Sequence, residues 1–141
     1  MTNTPTTLAD WLDYIERQHP ATIDMGLERV RAVATAMGLG APAKRTIVVG
    51  GTNGKGSTVA FIEAIGRAAG WKVGAYTSPH LLRYNERVRI DGQDVDDAAL
   101  VAAFNTVEAA RGDITLTYFE YGTLAALQLF ADAGLDLAVL E

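Results

Sequence analysis

The chain has 141 residues, of which 49% are hydrophobic, and its 17 acidic and 12 basic side chains give a formal net charge of −5. This composition predicts a globular protein and argues against a dedicated nucleic-acid binder, whose affinity depends on a basic face. The absence of cysteine excludes disulfides, thiol catalysis and cysteine–metal sites. The N-terminus does not resemble a signal peptide, and no apolar run approaches the ~18 residues of a membrane span. We therefore expect a cytoplasmic protein without membrane or nucleic-acid partners.

Two helices are predicted at the start of the chain. Thr7 is expected to cap the first, because it precedes an apolar series at helical spacing: Leu8, Trp11, Leu12 and Ile15. Asp24 is expected to cap the second, which Gly38 ends and whose inward residues are Leu27, Val30, Ala34 and Met37.

Strands and helices then follow each other. The run "RTIVVG" (45–50) predicts a strand buried on both faces, as in a parallel sheet, and residues 55–69 predict a helix with one apolar side: Val59, Ile62, Ile65 and Ala69. "WKVGAYT" and "RVRI" predict two more strands, and "RVRI" places Arg87 and Arg89 on one strand face.

The last part of the chain predicts two helices and a strand. The first helix starts at Asp96 and turns four residues inward: Leu100, Ala103, Phe104 and Val107. The second covers about 119–133, and "LDLAVLE" (135–141) is the final strand. The whole order predicts an α/β fold with a mostly parallel sheet and flanking helices.

The stretch "GGTNGKGST" (50–58) lies between a predicted strand and a predicted helix. Unpaired backbone N–H groups and the helix dipole make such a loop an anion site, and its glycines let the backbone wrap closely around phosphates. Lys55 would add a positive charge for the β- and γ-phosphates, and Ser57 or Thr58 a hydroxyl for Mg²⁺. The predicted nucleotide-binding residues are Gly51, Thr52, Asn53, Gly54, Lys55, Gly56, Ser57 and Thr58.

The loop departs from the general pattern G-x-x-x-x-G-K-[ST] at two positions. Val49 stands where the first glycine belongs, and Gly56 separates Lys55 from Ser57. A glycine-rich turn with an incidental lysine is the alternative. The strand before the loop and the helix after it favour nucleotide binding.

Several motifs carry a resemblance to a known family. "GTNGKGS" resembles the phosphate loop of the Mur-type ATP-dependent amide ligases. Four further segments are similar to the bifunctional dihydrofolate synthase/folylpolyglutamate synthase family: "HPATIDMGLERV", "TSPHLLRYNERVRIDG", "ARGDITLTYFEYGTLAAL" and "LDLAVLE". Members of that family are much longer. The resemblance therefore implies that residues 1–141 are the N-terminal part of an ATP-binding domain of Mur-ligase type.

The resemblance also implies the reaction. L-Glutamate would be joined to dihydropteroate or a folate such as tetrahydrofolate, with ATP and Mg²⁺ as cofactors and an acyl phosphate as intermediate. Lys55 would be the catalytic residue. The full-length protein is expected to be a monomer, whereas the chain alone is expected to be inactive and to expose a sheet edge that favours self-association. There are two alternatives: the protein is another Mur-type ligase, or the chain is a nucleotide-binding module without turnover.

The same resemblance implies further site residues. Ser57, Ser78 and Glu141 would be magnesium ligands, although a Ser-Pro turn is the simpler interpretation of Ser78. A glutamate at the tip of a strand also suits a metal site by position alone. The implied substrate-binding residues are Asp24, Pro79, His80, Arg83 and Phe119.

Some of these substrate residues have plainer alternatives. Phe119 is either the aromatic that packs against the pterin ring or a core residue, and His80 is not assigned a catalytic role. The basic group formed by Arg83, Arg87 and Arg89 could attract an anionic substrate. The favoured alternative is that two of these three arginines are solvated or paired with Glu86 and Asp91.

Overall fold

The computed structural model describes residues 4–19 and 24–141. The chain divides into two compact units, which we call the helical unit (residues 1–39 and 97–128) and the sheet unit (residues 40–96 and 129–141). The elements in chain order are α1 (Leu8–Glu16), α2 (Glu28–Ala36), β1 (Arg45–Val48), α3 (Lys55–Ala68), β2 (Val73–Tyr76), a 3-10 turn (Tyr84–Arg87), β3 (Val88–Ile90), β4 (Gln93–Asp94), α4 (Asp97–Arg111), α5 (Tyr118–Ala133) and β5 (Leu137–Leu140). Within the described ranges, no helix has both the length and the hydropathy that a membrane crossing requires.

In the helical unit, α1 and α4 form as their spacing predicts. The Thr7 hydroxyl accepts a hydrogen bond from the Asp10 amide at 3.1 Å and caps α1. Trp11 is fully buried and stacks on Phe104, with ring centroids 5.8 Å apart. The four inward residues predicted for α4 are all buried.

A polar cluster inside the helical unit links α1, α4 and α5. The Glu108 carboxylate accepts hydrogen bonds from the hydroxyls of Tyr14 and Tyr121, both at 2.8 Å, and from the Arg111 guanidinium at 2.8 Å. Burial alone would raise the pKa of Glu108, but these donors together hold it below its usual value. Burial and the neighbouring Glu108 raise the pKa of Tyr121, so its hydroxyl remains a donor.

The second helix differs from its prediction. It begins at Glu28 after Leu27, and no side chain caps it, so the expected cap at Asp24 is wrong. Leu27, expected to point inward, is 63% exposed, and Val33 is the buried residue of α2. Asp24 lies before the helix and its carboxylate bonds to Arg29 instead.

The sheet unit contains a mixed five-stranded sheet in the order β1-β5-β2-β3-β4. The strands β1, β5 and β2 are parallel, and β3 and β4 continue the sheet in antiparallel pairing. This confirms the α/β class with flanking helices. The parallel part consists of β1, which the glycine loop follows, β2, and β5, which Glu141 follows. The core on α3, β2 and β5 is formed by Val59, Val73, Ala75, Leu137 and Val139.

Three details of the sheet unit correct the predictions. All four residues of β1 are exposed, so this strand is not buried on both faces. It lies at the edge of the sheet. Ile65 of α3 is 70% exposed, and the buried positions of that helix are Val59, Glu63 and Gly66. Arg87 ends the 3-10 turn and precedes β3, so it does not share a strand face with Arg89.

We predict that Gly74→Ala destabilises the sheet unit. A Cβ at this buried position of β2 would lie 2.4 Å from a Leu135 methyl and 2.8 Å from the Phe130 ring. Relieving such overpacking costs about 1–3 kcal/mol. Urea unfolding measures the loss. Gly40→Ala is the control, since no described atom lies within 4 Å of a Cβ there; equal stability of the two variants would contradict the prediction.

Candidate functional site

The three parallel strands of the sheet unit end side by side. Val48 of β1 and Tyr76 of β2 are both in register with Leu140 of β5. The ladder extends one residue further, since the Val49 amide donates to Leu140 O at 2.7 Å and the Glu141 amide to Tyr76 O at 2.9 Å. The glycine loop, residues 77–79 and Glu141 therefore lie at one edge of the sheet. In open α/β sheets, ligands bind at this carboxyl edge.

The glycine loop leads from β1 into α3, whose N-cap is Gly54. Gly51 and Gly54 have φ angles of +147° and +74°, which side-chain-bearing residues rarely adopt. At Gly50 and Gly56, no described atom lies within 4 Å of an added Cβ. Glycine is thus required by the backbone at two positions, and at the other two the free space is available to a ligand.

The polar side chains of the loop turn toward its own backbone. The Lys55 ammonium donates to Gly51 O at 2.7 Å, so a positive charge lies over the loop. The Thr58 hydroxyl donates to Gly54 O at 3.0 Å. Ser57 is exposed. The amides of the first turn of α3 have no partner within the helix, as at any helix start, and they suit a phosphate group.

A cavity of about 400 Å³ lies at the carboxyl edge. We call it the edge cavity, and it is lined by Gly56, Thr77, Ser78, Pro79, Leu81, Glu86, Arg89 and Glu141. It brings together four predicted site residues: Gly56, Ser78, Pro79 and Glu141. Ser57 is not among the lining residues.

The oxygen atoms of Ser78 and Glu141 are of the type that Mg²⁺ prefers. Across the described ranges, no group of three His, Asp or Glu side chains could hold a metal ion. Mg²⁺ commonly binds one or two carboxylates together with substrate phosphates and water. The residues present therefore fit a magnesium ion that arrives with a nucleotide.

Arg89, one of the three arginines of the predicted basic group, lines the edge cavity and is paired with Glu63, a partner that the sequence analysis did not predict. Its Nη2 lies 2.5 Å from Oε1 of Glu63, and its Nε donates to both oxygens of the same carboxylate at 3.2 Å. Hydrogen bonding to Glu63 raises the pKa of Arg89. The pair joins β3 to α3, the helix that follows the glycine loop. The sequence feature that could have indicated this pair is Glu63 itself, an acid that occupies a buried position of α3.

Residues 77–87 form a loop that contributes to the lining of the edge cavity, and its two ends are joined by a hydrogen bond from the Thr77 amide to Arg87 O at 3.0 Å. The Glu86 carboxylate accepts hydrogen bonds from three successive amides, at 2.8 Å from Leu81, 3.0 Å from Leu82 and 2.8 Å from Arg83. The bonds from the Leu81 and Arg83 amides hold the pKa of Glu86 below its usual value. His80 accepts a hydrogen bond from the Arg87 guanidinium at 2.8 Å. Arg83 is exposed and does not line the edge cavity.

A second cavity, of about 420 Å³, lies within the helical unit. We call it the helical cavity, and it is lined by Asp24, Met25, Gly26, Leu27, Val30, Thr117, Phe119, Glu120 and Thr123. It brings together two predicted substrate residues, Asp24 and Phe119. Phe119 is 49% exposed, so the alternative that it packs in the core is wrong.

Arg29 joins the acidic groups of the helical cavity. Its guanidinium lies 3.1 Å from the Asp24 carboxylate and 2.8 Å from the Glu120 carboxylate. The Glu120 carboxylate also accepts a hydrogen bond from the Thr117 amide at 2.9 Å. In return, the Thr117 hydroxyl accepts a hydrogen bond from the Glu120 amide at 3.2 Å. This is a capping box at the start of α5. The T-x-x-E spacing of residues 117–120 signalled the box, whereas nothing local signalled the contact with Arg29, 91 residues away.

Comparison with known proteins identifies relatives of this chain. No family model matches it. It is 57% identical over 134 residues to the dihydrofolate synthase/folylpolyglutamate synthase of Escherichia coli (strain K12), an alignment that covers 95% of this chain and 32% of the relative. The chain thus spans about a third of the length of this relative.

Solved structures agree with the sequence comparison. E. coli FolC in complex with DHPP and ADP superposes with a TM-score of 0.96 at 55% identity, covering 98% of this chain and 34% of that structure. The bifunctional folylpolyglutamate synthase/dihydrofolate synthase from Yersinia pestis, complexed with AMPPNP and a Mn ion, gives 0.94 at 54% identity and covers 99% of this chain and 35% of that structure.

We predict that Arg29→Ala destabilises the helical unit by about 2–3 kcal/mol, because it leaves the buried Glu120 carboxylate without its cationic partner. Arg31→Ala, at an exposed position of the same helix, is the matched control and should cost less than about 0.5 kcal/mol. Chemical denaturation of both variants gives the two values. If both variants lose the same stability, Arg29 has no special role.

Proposed function

The chain belongs to the dihydrofolate synthase/folylpolyglutamate synthase family, and we propose that the whole protein joins L-glutamate to dihydropteroate and to folates with hydrolysis of ATP. The main support is the carboxyl edge of the sheet unit, where a glycine loop with Lys55 follows β1 and a cavity contains Ser78 and Glu141. Such an edge suits a nucleoside triphosphate with its metal ion. We also propose that residues 1–141 are part of the ATP-binding domain.

The proposed reaction has two steps. A carboxylate oxygen of the pteroate or folate attacks the γ-phosphorus of ATP, and ADP leaves with the electrons of the broken P–O bond. The amine of L-glutamate then attacks the acyl carbon of the acyl phosphate, loses a proton, and releases inorganic phosphate. Catalysis of this kind depends mainly on positioning and on neutralising charge.

The chain supplies groups for both tasks. We propose that Lys55 neutralises the phosphates and that the backbone amides of 51–58 surround them. Ser57, Ser78 and Glu141 would hold Mg²⁺, which when bound offsets the charge of the phosphate oxygens. Arg89, held by Glu63 at the edge cavity, adds a further positive charge.

The helical cavity is the proposed pterin site. Phe119 offers an exposed ring face for stacking, with apolar walls from Met25, Leu27 and Val30. Asp24 offers a carboxylate that can accept hydrogen bonds from the N–H groups of a pterin. In the sheet unit, we separately propose Pro79, His80 and Arg83 of the 77–87 loop as substrate-binding residues.

Two properties of the whole protein are also proposals. A reaction that consumes ATP suits the cytoplasm. We propose that the whole protein acts as a monomer, whereas the exposed edge strand β1 supports self-association of a chain limited to these residues.

We predict that the chain binds Mg²⁺–ATP and that Lys55→Ala weakens this binding at least about tenfold, because a charge-assisted contact to phosphate is lost. Isothermal titration calorimetry measures both affinities. Lys44→Ala is the matched control, since this lysine is 74% exposed and pairs with Asp136 outside the glycine loop. Unchanged binding by Lys55→Ala would rule out the proposed role of Lys55.

We predict that Phe119→Ala weakens dihydropteroate binding about tenfold, through the loss of ring stacking and apolar contact. Phe61→Ala is the control, because Phe61 is 69% exposed on α3 in the sheet unit and does not line the helical cavity. Equilibrium dialysis with dihydropteroate gives the affinities. Equal binding by the two variants would place the pterin elsewhere.

A further inference from the structure

We propose that Glu86 is a positioning residue of the edge cavity, whose carboxylate holds the backbone of residues 81–83 so that the wall formed by Ser78 and Pro79 is in place before a ligand arrives. Three successive amides converge on this carboxylate, at 2.8, 3.0 and 2.8 Å. Successive amides of this kind commonly bind an external anion. Here the chain supplies the anion itself.

The amides of residues 81–83 depend on Glu86 more than on burial of their own side chains. Leu81 and Leu82 are 89% and 90% exposed, so burial of apolar surface does not order this segment. Other contacts order the residues on either side: the Thr77 amide donates to Arg87 O at 3.0 Å, Arg87 reaches His80, and Tyr84 is buried. The Glu86 amide also donates to Arg83 O at 3.1 Å. The Glu86 carboxylate is therefore the one acceptor that ties the three successive amides of 81–83 together, through hydrogen bonds to an ionised group.

The contacts of Glu86 connect this constraint to the edge cavity. Leu81 and Glu86 line the cavity together with Ser78 and Glu141. Glu86 immediately precedes Arg87 and β3, and β3 pairs with β2, the strand that leads to Ser78. If the wall is already ordered, binding of the metal–nucleotide complex does not include the loss of conformational entropy that ordering this loop would require.

This role rests on the proposed function of the site, and three variants test it. Glu86→Gln keeps the shape of the side chain but removes its charge, and Glu86→Ala removes the acceptor. Asp113→Asn is the control for the change in net charge, because Asp113 is exposed in the helical unit and does not line the edge cavity. The ligand is AMPPNP, titrated by calorimetry into the 141-residue chain with Mg²⁺ and again with a chelator.

We expect Glu86→Gln to weaken binding of Mg²⁺–AMPPNP about tenfold, which corresponds to one hydrogen bond to a charged group. Metal-free AMPPNP, which contacts the glycine loop but has no metal for Ser78, should bind as tightly as it does to the wild type. Glu86→Ala should show the larger loss, and Asp113→Asn none. A purely structural role would instead weaken both forms of the nucleotide equally.

Amide hydrogen exchange by NMR gives a second measurement, in which Leu81, Leu82 and Arg83 should lose protection in both Glu86 variants. Wild-type affinity in Glu86→Gln, or unchanged protection of these three amides, would overturn the proposal. Failure of the wild-type chain to bind AMPPNP at all would count against the proposed function instead. Protection in the Glu86 variants would still decide whether this carboxylate holds the loop.

Discussion

The pairing of β5 with strands on both sides organises the sheet unit. Its four residues are in parallel register with β1 on one side and β2 on the other, and the first three of them are buried. Parallel pairing makes all three strands end at the same edge. The glycine loop, Ser78 and Glu141 are far apart in sequence and become neighbours through this one central strand.

Arginine–glutamate pairs have the same task in both units. Glu63 and Glu120 are buried acids on helices, and each is neutralised by an arginine distant in sequence, Arg89 and Arg29 respectively. In each case a member of the pair lines a cavity, and the arginine provides the buried carboxylate with its hydrogen-bond donors. Breaking such a pair leaves a buried charge, which is why each should tolerate substitution poorly.

Local patterns predicted those parts of the chain that depend on local physics. The cap at Thr7, the inward residues of α4 and the strand–loop–helix around Lys55 follow from spacing and residue type. The position of β1 did not, because an apolar strand does not encode its place in the sheet, and β1 lies at an edge. The partners of Asp24 also escaped prediction. An acid before a helix suits a cap, and only the tertiary structure shows that it meets Arg29.

Side chains whose role depends on the path of a loop were the hardest to predict. Glu86 resembled an ordinary surface acid in a charged segment, yet it accepts hydrogen bonds from three backbone amides of its own loop. Phe119 could be predicted as a ring near a pterin or as a core residue, and its exposure decided against the core. Such roles depend on how the backbone turns, which residue type alone does not specify.

The edge position of β1 has a mechanical consequence for the glycine loop. The loop begins where β1 ends, and among the described residues this strand is hydrogen-bonded to β5 alone. Edge strands fray more readily than central ones, so fluctuations of β1 pass directly into the backbone that would surround a phosphate. A strand added at the free edge would cover Ile47 and Val48 and would stiffen the loop without touching it. The order of this loop would therefore depend on whether β1 has one strand partner or two.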